Sequence, residues 1–147
     1  MGARRKSREL ALQMLFQYDM SGNEPAVIVT TFEDLHKART STRDFAVKLF
    51  EGTVSSLEQI DGMITRQADN WRLSRMATVD RNIIRMSVYE FMNEPDTPKL
   101  VIIDEAIEIA KKFGTQKSSQ FINGILDGIL KRYNLQQASD DAAERRR

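Results

Sequence analysis

Proline breaks helices: it lacks the N–H that an interior turn needs and its ring clashes with the preceding turn, at a cost of roughly 3 kcal/mol. The 147-residue chain holds three prolines, Pro25, Pro95 and Pro98. All three fall between stretches whose apolar residues recur at helical spacing, and none falls inside one. Alternating, strand-like patterns are scarce, and the short apolar run 100–103 reads better as part of a longer helix. The chain is therefore expected to be all-α. Its length suits a single domain with one hydrophobic core.

The spacing predicts a first helix over residues 5–19, with Ala11, Met14, Leu15 and Tyr18 on one face and Leu12 and Phe16 widening it. Ser21, Gly22 and Asn23 end it. A second follows Pro25 with Ile28, Phe32 and Leu35. Thr40, Ser41 and Thr42 offer an N-cap for a third segment running to about Asn70, ahead of Trp71, with a break near Gly52 or Gly62 left open. A fourth helix, residues 78–93, carries apolar side chains over a wide arc and is expected to be central. The fifth covers about 99–112 and stops at Gly114. Ser118 or Ser119 caps a sixth that runs to about Tyr133. Residues 135–147 form a polar tail, expected to be disordered, after one helical domain over 1–134.

Composition removes several chemistries. Without cysteine there is no disulfide, thiol nucleophile or Cys-ligated metal. One histidine, His36, is read as a surface residue and leaves little for zinc or imidazole catalysis. No apolar run reaches the roughly 18 residues of a membrane span. The basic start lacks the apolar core of a secretory signal, and Lys6 stands where myristoylation wants Ser or Thr. A soluble, reducing, cytoplasmic setting is expected. The net charge of +1 hides an asymmetry. Residues 1–8 carry +4 and Arg145–Arg147 carry +3, which leaves −6 on residues 9–144. Such a split points to an anionic partner at an end and a basic partner for the body.

Two segments carry candidate chemistry. Arg4, Arg5, Lys6 and Arg8 form a basic cluster suited to phosphate, against which stands the plain reading of a solvated terminus. Lys111, Lys112, Phe113, Gly114, Thr115, Gln116, Lys117, Ser118, Ser119, Gln120 and Phe121 interleave lysines with aromatics at a helix–loop–helix junction. Single-stranded RNA is bound by that mixture, although two core phenylalanines beside ordinary lysines would give the same pattern. Asp104, Glu105 and Glu108 read as exposed helical acids, not as a paired catalytic set. Gly124 and Gly128 read as a ridge for close helix packing. No catalytic motif is present.

Three segments together resemble the NusB family of bacterial transcription antitermination factors. They are Arg4 through Asp19, Val79 through Glu90, and Ile103 through Gly114 followed by Phe121-Ile122-Asn123-Gly124-Ile125-Leu126-Asp127. The order and spacing agree over about residues 4–134. The resemblance implies six to seven helices in two small packed bundles, with no enzymatic activity and no cofactor. It implies pairing with ribosomal protein NusE, binding of boxA RNA, and action on the RNA polymerase antitermination complex, notably in rRNA operons. RNA contacts carry over to Arg4, Arg5, Lys6, Arg8, Lys112, Phe113, Lys117, Gln120 and Phe121, and a NusE contact to Asp80. Two residues depart from the pattern: Lys117 stands where many relatives have an acid, and Phe16 where some have Tyr. Some relatives self-associate, so monomer and homodimer both stay open. The same helical domain occurs fused to rRNA cytosine methyltransferases, but this chain has neither the length nor the cysteine for that form. A helical protein-interaction module without an RNA role is the competing reading.

Overall fold

The computed structural model describes residues 2–68 and 73–135; Trp71 and Arg145–Arg147 lie outside the described residues. The described residues form eight α-helices and no strand. These are α1 (Gly2–Ser21), α2 (Pro25–Thr31), α3 (Glu33–Lys37), α4 (Thr40–Ser55), α5 (Leu57–Gln67), α6 (Thr78–Asn93), α7 (Lys99–Phe113) and α8 (Ser118–Arg132). A 3-10 turn, Leu73–Arg75, leads into α6. Helices α1 to α4 pack on one another, as do α5 to α8, and α6 also lies against α1 and α4. The two small bundles therefore share one core and one central helix.

Eight helices replace the expected six to seven because two segments divide. Phe32 adopts an extended conformation (φ −80°, ψ 100°) between α2 and α3. Ser56 (φ −105°, ψ 15°) separates α4 from α5, so the break falls between the two glycines rather than at either. Gly52 has a different task. It sits inside α4 where a Cβ would collide with the Tyr89 ring of α6, so its poor helix propensity is exchanged for close packing.

Helix ends follow local chemistry, with two corrections to the expected caps. Gly22 takes φ +70° and donates its N–H to the Tyr18 carbonyl at 2.9 Å, the left-handed stop that glycine favours. Pro25 opens α2, where a missing N–H costs nothing. At α4, however, Arg39 is the N-cap and makes no side-chain cap bond. Thr42 is buried within the helix, and its carbonyl accepts the Ser7 hydroxyl at 2.8 Å. At α8 the N-cap is Lys117; the Ser118 hydroxyl accepts the Thr115 N–H at 2.9 Å and so ties the preceding loop.

Every residue of α6 from Asn82 to Phe91 is buried, as its wide apolar arc predicts. Ile83 and Ile84 are fully enclosed, each worth roughly 1.5–3 kcal/mol of apolar burial. Leu135, assigned by sequence to the tail, packs against the core, and residues beyond it are not described. Gly124 corrects another expectation. It is exposed with open space around it, and only Gly128 meets a neighbouring helix, at the Gln67 side chain of α5. No helix among the described residues is long and apolar enough to cross a membrane.

Candidate nucleic-acid interface

The basic N-terminal residues are helical, not a frayed arm, and α7 and α4 hold them. Arg4 is exposed and lies over the Phe45 ring of α4, its guanidinium carbon 3.7 Å from the ring centroid. Arg5 makes a two-pronged ion pair with Glu105 of α7, Nε to Oε1 at 3.3 Å and Nη2 to Oε2 at 2.5 Å. Its side chain stays 40% exposed while that of Glu105 is 3% exposed. The hydrogen bond and charge of Glu105 raise the Arg5 guanidinium further above its already high value. Lys6 is exposed.

Arg8 is set apart from the other three. It is buried, donating from Nε to both oxygens of Glu90 (2.9 and 3.2 Å) and from Nη2 to Oε1 (2.8 Å), with Glu105 3.7 Å from Nη1. A guanidinium enclosed in this way does not face a phosphate. Its expected place among the RNA contacts is therefore narrowed to holding α1 against α6 and α7. Burial pushes the Glu90 carboxyl above the usual range, an effect that the Arg8 hydrogen bond and charge only partly offset.

The second basic segment comes to the same face. Lys112, near the end of α7, is exposed and pairs with Glu9 of α1 at 2.9 Å, with its ammonium 5.3 Å from the Phe113 ring centroid. The pairs Arg5–Glu105 and Glu9–Lys112 ascend together along both helices, so α1 and α7 run in roughly the same direction. Two segments about a hundred residues apart in sequence are thereby joined. Lys117 and Gln120 are exposed where α8 begins, while Phe113 and Phe121 are half-buried and pack against the core. Both readings of the aromatics thus have support, since each ring is partly core and partly surface.

An apolar groove of about 320 Å³ continues from this region, lined by Leu12, Gln13, Phe16, Gln17, Val79 and Phe113. Phe16 and Met20, one turn apart on α1, are 40% and 65% exposed. Asp80 follows Val79 in the first turn of α6. It is 8% exposed, and its Oδ1 has no hydrogen-bond partner among the described residues.

Near the end of α1 Asp19 accepts from Arg81 (2.8 and 3.0 Å), Asn82 (3.0 Å) and Arg85 (3.2 Å), and Arg85 also grips Asp61 twice at 2.8 Å. This network pins α1, α5 and α6 together. Burial raises the Asp19 carboxyl, but the Arg81 and Asn82 hydrogen bonds with the charges of Arg81 and Arg85 outweigh it and leave it below the usual range. A carboxylate lowered by folding stabilises the fold at neutral pH, and that stability is lost as pH falls below about 4. Asp19→Asn should therefore be less stable than wild type at pH 7, and the gap should narrow in unfolding curves taken down to pH 3. A constant gap across that range would contradict the assignment.

The sequence reading missed Phe45, Glu9, Glu90 and Glu105. Glu105 in particular was grouped with Asp104 and Glu108, which are exposed, yet it is buried. A signal was present. Glu105 lies on the apolar stripe of Ile102, Ala106 and Ile109, Glu90 on that of Ile83 and Met86, and Arg8 on that of Leu12 and Leu15. Opposite charges on separate apolar stripes mark ion pairs formed inside a core.

Residues 5–131 match the model of the NusB family. The transcription antitermination protein NusB of Koribacter versatilis is 48% identical over 134 residues, covering 88% of this chain and 90% of that protein. The chain belongs to the NusB family. T. maritima NusB superposes with a TM-score of 0.79 at 37% identity, covering 87% of this chain and 90% of the other. A NusB crystallised with NusE and double-stranded RNA gives a TM-score of 0.81 at 25% identity, covering 90% and 99%. The paired four-helix halves around α6 are thus the NusB fold, as the sequence resemblance implies.

Proposed function

We propose that this chain is a non-enzymatic, cytoplasmic transcription antitermination factor that binds boxA-type single-stranded RNA together with NusE and so helps RNA polymerase pass terminators. The observation that carries the RNA half is the joining of two distant basic segments on one face by the Arg5–Glu105 and Lys112–Glu9 pairs. Arg4, Arg5 and Lys112 present cations there, with Lys6 next to them on α1 and Phe113 beside Lys112, and Lys117, Gln120 and Phe121 follow where α8 begins. Arg8 acts from beneath, by fixing the helix that carries the others. The family to which the chain belongs, and a relative crystallised with NusE and RNA, support the assignment.

The protein-partner half rests on the groove. Exposed Phe16 and Met20 with Val79 offer apolar contact, and Asp80 and the net-negative body suit a basic ribosomal protein. Of the three acids of α7, Glu105 holds arginines, Glu108 pairs with Lys111 at 3.1 Å, and Asp104 is exposed. Direct binding tests the reading. The purified chain should bind a boxA-type strand more tightly than its scrambled counterpart, and the margin should grow when NusE is added. Equal binding to both strands in the presence of NusE would refute it.

A further inference from the structure

We infer that Glu105 and Glu9 are positioning residues that set the RNA affinity of this face, each by holding one cation beside a fixed negative charge. The inference rests on the RNA-binding reading above and adds two residues to it. Two of the surface cations, Arg5 and Lys112, are each paired with a carboxylate, Glu105 and Glu9, while buried Arg8 is paired with Glu90. The face therefore presents less positive charge than its count of cations implies.

Two of the three carboxylates reach the surface cations. Glu90 is matched by buried Arg8 and is remote from solvent. Glu105 takes both Oε atoms to the half-exposed Arg5, and Glu9 takes one to the exposed Lys112. Neither acid is free to swing away, being 2% and 8% exposed, so both stay in place when a strand arrives. A phosphate docking on Arg5 or Lys112 thus meets the cation and its carboxylate together. The opposing charge weakens every strand alike, because it acts on phosphates and not on bases. It sets the level of binding and leaves sequence preference to base contacts.

Glu105→Gln and Glu9→Gln keep the side-chain shape and remove the charge. Removing one unit charge about 6 Å from a phosphate, in an effective dielectric between that of water and half of it, tightens binding about three- to tenfold at low salt. Binding of a boxA-type strand and of its scrambled counterpart should be measured for wild type and both variants from low to high salt, with circular dichroism as the check on folding. Each variant should tighten both strands by the same factor, and the gain should vanish near 1 M salt, where the screening length is about 3 Å. A merely structural role would not give a salt-closing gain. Unchanged or weakened binding by the folded variants, or a gain that survives high salt, would overturn the inference. Should Glu105→Gln fail to fold, Glu9→Gln alone decides, since it leaves the buried Arg8 pair untouched. A wild-type chain that binds neither strand overturns the RNA reading and this inference with it, whereas wild-type binding with unchanged variants overturns this inference alone.

Discussion

Glu90→Ala should lower the unfolding free energy by about 3–5 kcal/mol, because it leaves the Arg8 charge buried with only a distant share of Glu105. For a chain of this size that corresponds to a fall in melting temperature of about 6–20 °C. The pair is not expected to be better than an apolar one. Burial outweighs the attraction of Arg8 and holds the Glu90 carboxyl above its usual range, so ionising it inside the protein costs stability as pH rises through that raised value. Replacing both partners, Arg8→Met with Glu90→Leu, should therefore recover most of the loss, while Glu105 remains satisfied by Arg5. Denaturant unfolding of the two variants checks this. A single variant that loses less than about 1 kcal/mol would mean that Arg8 finds another partner or leaves the core.

Much of the fold was legible because helical periodicity and proline placement depend on local chemistry. The burial of α6, the stop at Gly22 and the start at Pro25 all follow from residues within a turn or two. Where the reading failed, the deciding contact came from another helix. Thr40, Ser41 and Thr42 were expected to supply the N-cap of α4, but the helix starts at Thr40 with Arg39 as N-cap, and Thr42 is buried where its carbonyl accepts the Ser7 hydroxyl of α1. The break of the third segment was sought at a glycine, yet Gly52 is there to admit Tyr89. The same limit applies at the candidate site. The basic segments were visible as composition, but four neighbouring cations were treated as one cluster. Their division into surface and core depends on Phe45, Glu90 and Glu105, which lie 41 to 100 residues away from the cations they hold.

That division predicts different outcomes for neighbouring residues. Replacing Arg4, Arg5 and Lys6 together by Ala should weaken RNA binding by about a hundredfold at low salt, and should also cost some stability, because buried Glu105 loses its Arg5 partner. It should also flatten the salt dependence by about 2, since each phosphate contact on a single strand contributes about 0.7 to the slope. Arg8→Ala should instead lower thermal stability, and where the protein remains folded its salt slope should stay near that of wild type. A triple variant with an unchanged slope would move the RNA site away from the start of α1.

A salt titration of binding to a boxA-type strand and its scrambled counterpart, with NusE present, tests most directly whether this face binds single-stranded RNA selectively. Both affinities should fall with salt while the boxA-type strand keeps its advantage throughout, because base contacts survive the screening that removes phosphate contacts. Two coincident curves, both abolished by salt, would contradict selective binding.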